Sequence, residues 1–186
     1  MLLETKRLGI RRFFPGDFED FKTLIVDKES SPSAIYDEAF PTSEEGLKGV
    51  LACFAGSDEF YAVCLKETGR VIGFVTLNNC GADIRNLGYC IRSDFQNQGY
   101  GREAAGAAVD YAFERLGAVQ LVSGTANENI PSCRLLFRLG FVKIHEGPGS
   151  FRADESGDPI EVIGGAYELD KERYLQIGKE NGKGSL

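Results

Sequence analysis

The sequence predicts a single α/β (α+β) domain with a central, mixed, mostly antiparallel sheet. Three observations predict it. Short runs rich in β-branched and aromatic residues alternate with longer runs of helical period. Gly, Pro, Asn and Asp punctuate the boundaries between them. The helices fall after the first, fourth and fifth strands, an order that implies one layered domain. With 186 residues the chain has the length for one real hydrophobic core.

Arg7 to Phe13 alternates imperfectly and reads as the first strand, broken by Pro15-Gly16-Asp17. Asp17 can cap a helix whose Phe18, Phe21, Leu24 and Ile25 share a face. Ser30 to Pro41 is a loop of turn formers that also carries Ile35, Tyr36 and Phe40. Thr42 or Ser43 opens a second helix, with Glu44 and Glu45 in its first turn and Leu47, Val50, Leu51 and Phe54 as its buried stripe. Phe60 to Leu65 and Val71 to Leu77 form a hairpin around Glu67-Thr68-Gly69. Asn78 to Asn86 reads as a polar loop, and Leu87 to Ile91 as the fourth strand.

A long helix is expected from about Gly101 to Leu116, with Ala104, Ala105, Ala108, Val109, Ala112 and Phe113 facing inward. Val119 to Ser123 is a fifth strand, and Asn129 to Leu139 a short helix closed by Gly140. Phe141 to His145 and Val162 to Leu169 are the last strands, separated by a long polar excursion from Gly147 to Pro159. The domain is assigned to residues 1–174, and residues 175–186 to a frayed tail.

The net charge of −7 argues against sequence-independent nucleic-acid binding, which needs Lys and Arg to neutralise phosphates. It would favour a cationic amine. No apolar run approaches a membrane span, and the N-terminus lacks the order of a secretory signal. The expectation is a soluble, cytoplasmic protein that uses neither a membrane nor nucleic acid. Five cysteines, an odd number with no Cys-x-x-Cys pair, predict buried free thiols rather than disulfides or a metal site.

The informative stretch is Leu87 to Ala104. A strand runs into Gln96-x-x-Gly99-x-Gly101 and then into a helix. Glycines allow a tight turn and close approach of a ligand to the backbone. The first helical turn offers unpaired N–H groups and a positive dipole end, a cradle for pyrophosphate. A plain strand–turn–helix connection is the competing reading. The pattern is neither Gly-x-Gly-x-x-Gly nor a P-loop, because no Gly-Lys-Ser/Thr follows.

This loop resembles the coenzyme A pyrophosphate loop of the Gcn5-related N-acetyltransferases. Ala126 to Ser132 followed by Leu139-Gly140-Phe141 resembles the family's second motif, Asn-x-x-Ser ending in Gly-Phe. Leu3 to Leu8 resembles the Glu-Thr-x-Arg-Leu opening of the RimJ/RimL branch of ribosomal-protein N-terminal acetyltransferases, and Gly88-Tyr89 is typical of that branch. The likeness covers roughly residues 3 to 170.

The resemblance implies a sheet of about seven strands with helices on both faces. It also implies acetyl transfer from acetyl-CoA, without a metal, to a primary amine: a protein N-terminus or a small molecule. A non-catalytic acyl-CoA-binding module and a nucleotide-binding protein are the rival classes, and the chain is expected to be a monomer or homodimer. Backbone N–H groups of Asn97, Gln98, Gly99, Tyr100, Gly101 and Arg102 would hold the pyrophosphate. Tyr89, Cys90 and Ile91 would pair through their backbone with the pantetheine arm, where the fourth and fifth strands splay. Asn129 would bond the pantetheine or the strand edge, and Ser132 would lie near the departing thiol.

Many members place a Tyr acid seven residues after the motif Asn; here Leu136 stands there. The positions of the usual Glu base hold Asn86 and Gly124, which leaves Asp83, Glu146 or a water chain as candidates. Bland readings stand beside these. Ser132 and Asn129 are ordinary helix-start residues, Tyr89 and Tyr100 are ordinary packing residues, and Cys90 is a small residue of the strand. His145, the only histidine, has the right pKa class for a base but lies on a late strand.

Overall fold

The structure, a computed structural model, describes residues 2–154 and 156–180. In chain order it contains β1 (Leu3–Glu4), β2 (Leu8–Arg12), α1 (Phe18–Ser30), α2 (Glu44–Gly56), β3 (Phe60–Leu65), β4 (Val71–Asn79), β5 (Ile84–Ile91) and α3 (Tyr100–Glu114). Then follow β6 (Gln120–Ala126), α4 (Ile130–Arg138), β7 (Val142–Ala153), β8 (Pro159–Asp170) and α5 (Lys171–Glu180). The sheet order is β1-β2-β3-β4-β5-β6-β8-β7. Every neighbouring pair is antiparallel except β5 and β6, which are parallel with α3 as the crossover.

Two hydrophobic clusters lie on opposite faces of the sheet. Strand alternation sends Tyr61 and Val63 to one, and Ala62 and Cys64 to the other. The first face is covered by α3 and α4 through Ala104, Ala108, Ala112, Phe113 and Leu136; Tyr174 and Ile177 of α5 add to it. Small side chains on α3 let it lie close to the strands. The second face is covered by α1 and α2 through Phe21, Leu24, Ile25, Leu47 and Leu51. There Phe54 meets the rings of Phe13, Phe21, Phe40, Phe60 and Phe74 with centroids 4.1–6.1 Å away. Phe40 thus anchors the far end of the loop that follows α1.

The architecture is the expected one, with several differences in detail. Eight strands replace about seven, because Leu3–Glu4 adds a two-residue edge strand. Asn78 to Asn86 is mostly strand: β4 and β5 continue to the pairs Asn78–Asn86 and Asn79–Arg85, and polar residues are tolerated because this end of the ladder is exposed. Gly147 to Pro159 is not a loose excursion. β7 and β8 pair through it up to Ala153–Pro159, and only the tip is a turn.

Residues 175–180 are helical in α5, not frayed. Tyr174 stacks on Phe113 at 4.6 Å and donates hydrogen bonds to Asp110 and Glu114, fastening the helix to α3. The rest of the expected tail, 181–186, lies outside the described residues. Asp17 precedes α1 without a capping bond of its own. Its carboxylate is taken by Arg11 at 2.7 Å and by the Phe14 amide. Of the five free cysteines only Cys64 is buried; Cys53 and Cys80 are exposed, and Cys90 and Cys133 are half-buried.

Candidate active site

The parallel β5–β6 ladder is short. It pairs Ile84 with Gln120, Arg85 with Leu121 and Asn86 with Val122, and goes no further. Beyond it, Ser123 Oγ donates across the gap to Leu87 O at 2.9 Å. The rest of β5 keeps its partner β4 on one side and has a free edge on the other. A cleft of about 710 Å³ opens there, with Tyr89, Cys90 and Ile91 on one wall and Asn129 and Ser132 on the other. A smaller hollow of about 310 Å³ touches Glu4, Arg11 and Lys66. Its charges are already paired, Lys66 with Glu4 and Arg11 with Asp17, so it offers no comparable chemistry.

One end of the cleft is the loop before α3. Gly99 caps the helix at φ 83°, a backbone conformation that costs a side chain about 1 kcal/mol or more. Asn97 also has a positive φ, of 57°. Among the described residues, the first amide of α3 with a backbone partner is that of Glu103, on Gly99 O at 3.1 Å. The preceding amides are the first-turn donors that a helix leaves open, at its positive end.

Side chains hold the loop from behind. Gln96 Nε2 donates to Ile91 O at 2.8 Å and Gln98 Nε2 to Asp94 O at 2.9 Å. Arg7 donates to Gln98 O at 2.9 Å and lies 4.1 Å over the Tyr100 ring. Glu103 accepts from Thr5 Oγ1, the Arg7 amide and Arg7 Nε at 2.6–2.7 Å. Burial pushes the Glu103 carboxyl upward, but these bonds win and hold it below the usual range. The Thr5 and Arg7 of the opening motif therefore brace the loop from outside the cleft.

Deeper in, Asn129 caps α4 by accepting from the Ser132 amide at 3.4 Å. Tyr89 reaches across from β5, with Oη 2.9 Å from Ser132 Oγ and 3.3 Å from Ser132 O. Burial pushes the Tyr89 phenol up; the Ser132 bond pulls it down and Cys133 pushes it up, for a value of about 12. Leu136 is fully buried in the core. The side-chain meeting of Tyr89 and Ser132 is not visible in the sequence, since 43 residues separate them. The Gly88-Tyr89 pair is the one available signal. Gly88 is needed because a Cβ there would sit 2.5 Å from Thr76 Oγ1.

The far wall is the loop after α1, which contains a 3-10 turn at Pro32–Tyr36. Lys28 is buried and meets Asp37 at 3.1 Å, Glu29 at 3.3 Å and Glu38 O at 2.9 Å. Arg152 arrives from β7 and grips Glu29 at 2.8 Å, Asp37 O at 2.8 Å and Glu38 O at 3.3 Å. Burial works to raise the Glu29 carboxyl, and the bonds from Arg152, the Phe40 backbone and Lys28 hold it below the usual range. Cys90 faces this wall; burial, only partly offset by Lys28, pushes its thiol to about 12, so it is no nucleophile.

The structure separates the remaining candidates from the cleft. Asp83 lies in the turn before β5, at the closed end of the splay. Glu146 pairs with Gly165 on the face of Tyr167, and Lys143 at 2.6 Å holds its carboxyl below the usual range. A bulge at Ile144 turns His145 to pair with Ala166, and the imidazole does not line the cleft. Asn86 and Gly124 are exposed. Among the described residues there is no cluster of three His, Cys, Asp or Glu that could hold a metal. No helix among them is long and apolar enough to cross a membrane.

A half-split sheet with an amide cradle at one end of the gap can take an extended ligand with an anionic end. The chain belongs to the GNAT acetyltransferase family, whose domain model, described as acetyltransferase (GNAT) domain, matches residues 7–142. It is 28% identical over 142 residues to the uncharacterized N-acetyltransferase YnaD of Bacillus subtilis, covering 75% of this chain and 82% of that protein. A spermidine N-acetyltransferase of Vibrio cholerae, solved with CoA and spermine, superposes with a TM-score of 0.75 at 19% identity, over 92% of this chain and 99% of that one. A ribosomal-protein-S5-alanine acetyltransferase of Vibrio fischeri does so with a TM-score of 0.74 at 16% identity, over 92% and 97%. The two solved structures share the fold.

Proposed function

We propose that this chain transfers the acetyl group of acetyl-CoA to a primary amine by direct attack, and that the acceptor is a protein or peptide N-terminus. The observation that carries the reading is the arrest of the β5–β6 ladder at Asn86–Val122, which opens the sheet between an amide cradle and a hydroxyl pair. The amides from Asn97 to Arg102 would take the pyrophosphate. The free edge of β5 at Tyr89, Cys90 and Ile91 would pair with the pantetheine amides and polarise the thioester carbonyl. Asn129 sets the start of α4, and Ser132 would give a proton to the departing thiolate. The amine would lose its proton to water, because neither base position carries a carboxylate.

The acceptor wall supports a single-charge amine. Asp27, Asp37 and Glu128 are the carboxylates lining the cleft. Asp27 already accepts from the Ser93 amide and hydroxyl, and Asp37 from Lys28 and the Glu38 amide. A polyamine needs several unengaged carboxylates; a peptide N-terminus presents one ammonium and a backbone. The opening motif, with Thr5 and Arg7 bound to Glu103, supports the RimJ/RimL-like branch. A small-molecule amine is the second reading, raised by the polyamine enzyme that shares the fold.

Coenzyme A release, measured with a library of N-terminal peptides, spermidine and simple amines, tests the proposal. Turnover with peptides and none with spermidine is expected. Preference for spermidine would replace the acceptor class. Tight acetyl-CoA binding without turnover on any amine would make the chain a binding module.

A further inference from the structure

The second wall of the cleft has a gap in its chemistry. Leu136 fills the core where an acid from α4 would stand. Ser132 alone is a weak donor, since an aliphatic hydroxyl is far less acidic than a thiol. Yet Ser132 is held at three points. Its amide bonds Asn129 Oδ1, its carbonyl lies 3.3 Å from Tyr89 Oη, and its Oγ lies 2.9 Å from the same phenol oxygen. Both side chains line the cleft.

Tyr89 has one phenol proton and two oxygens of Ser132 within reach. The carbonyl at 3.3 Å only accepts, while the hydroxyl at 2.9 Å can accept or donate, and the shorter contact is the one on which the proposal rests. The phenol also keeps its proton, because burial has pushed its pKa to about 12. When Tyr89 donates to Ser132 Oγ, the serine's own proton is turned away from the phenol and into the cleft. We propose that Tyr89 is a positioning residue that aims the Ser132 hydroxyl at the departing sulfur, so that β5 supplies from the opposite wall the phenol that α4 lacks. This inference rests on the acetyl-transfer reading.

The step balances with Tyr89 neutral at its start and its end. The amine nitrogen forms its bond to the acetyl carbon as the carbon–sulfur bond breaks. The sulfur electron pair takes the Ser132 proton. The serine oxygen draws on the hydrogen-bonded phenol proton, the phenol being the stronger acid, and the pair is refilled by the proton that the amine gave up to water. Tyr89 stabilises the developing negative charge on that oxygen throughout.

Tyr89→Phe retains the ring that packs on the core. It should lower kcat by about 10- to 100-fold, as removal of one aimed proton donor does. Melting temperature and coenzyme A affinity should stay at the parent values. Ser132→Ala should cost about as much, and the double variant little more than either, because the two hydroxyls act as a unit.

The discriminating readout is the leaving group. Acetyl-seleno-coenzyme A releases a less basic selenolate that needs no proton. The kcat defect of Tyr89→Phe should shrink several-fold on it, whereas a packing defect would be the same on both donors. A Tyr89→Phe enzyme with parental kcat, an equal defect on both donors, or additive losses in the double variant would overturn the inference. A parent that binds acetyl-CoA but turns over no amine would instead remove the acetyl-transfer reading beneath it.

Discussion

The two ends of the cleft are held by different physics. At the loop before α3 the open groups are backbone amides, set by φ at Asn97 and Gly99 and by the geometry of a helix start. Side chains only brace it from behind, through Arg7, Glu103, Gln96 and Gln98. At the wall formed by the loop after α1, the order is reversed. The backbone there is pinned by side-chain charges, the buried Lys28 and the half-buried Glu29 and Arg152, that join α1 to a strand more than 110 residues away. A site built from backbone should resist loss of its supporting charges and fail on steric intrusion. A wall built from charges should do the opposite.

The largest effect should come from filling the cradle. Gly99→Val would mix two causes, because Gly99 has a positive φ. Gly101 separates them. A Cβ there would meet Ile91 Cγ1 and Leu135 Cδ2, both at 3.8 Å, so the protein has room for that atom, and φ is not positive. Gly101→Val should weaken acetyl-CoA binding by about 100-fold or more, about 2.7 kcal/mol, with the fold intact. Calorimetry alongside a melting curve checks it; a folded variant of unchanged affinity would move the cradle elsewhere.

The next effect lies on the other wall. Arg152→Met leaves the half-buried Glu29 with Lys28 as its remaining charged partner and releases two loop carbonyls. The acceptor KM should rise about tenfold while the acetyl-CoA KM moves less than about twofold, the signature of lost acceptor binding. Acid should do the same. Glu29 is held below its ordinary pKa, so its contribution is complete above the unfolded carboxylate value and is lost as pH falls through the lowered one. An acceptor KM unmoved by Arg152→Met would show that the loop needs no pin.

Glu103→Gln sharpens the contrast from the cradle side. The amide oxygen can still accept from Thr5 and the Arg7 amide, and the ion pair with Arg7 is lost. Because the donors proposed for the pyrophosphate are backbone, coenzyme A affinity should fall only about threefold, less than 1 kcal/mol. A loss as large as that of Gly101→Val would mean that the brace, not the backbone, fixes the cradle.

The same contrast explains what is legible in the sequence. Glycine spacing, helix periodicity and a capping Asn are local signals, so the loop at Gln96 to Arg102, α3 and the Asn129 cap are readable in one dimension. The wall of Lys28, Glu29 and Arg152 is not, because its partners are 123 residues apart and each looks like an ordinary surface charge. Tyr89 and Ser132 meet out of sight for the same reason. The strand ends at Asn78 to Asn86 and Gly147 to Pro159 escape a sequence reading because polar residues and glycines stand at successive positions there, which leaves no apolar alternation to read.

The smallest effect should come from the tip of the β7–β8 arm. In sequence, Asp154, Glu155 and Asp158 look like carboxylates that attract an ammonium. In the structure Asp154 closes the turn instead. Its Oδ1 accepts the amides of Ser156 and Asp158, and neither Asp154 nor Asp158 lines the cleft. Glu155 lies outside the described residues. Arg152, the one Lys or Arg between Gly147 and Pro159, does not offset these charges; it is engaged with Glu29 and the loop carbonyls. Neutralising Asp154 and Asp158 together, as Asn, should therefore leave the acceptor KM within about twofold of the parent and its salt dependence unchanged. Asn keeps an oxygen that can close the turn, so the melting temperature should fall only slightly. A clear rise in acceptor KM together with a flatter salt dependence would mean that the tip steers the amine from a distance. The charges of the acceptor wall would then work on the ligand as well as on the protein.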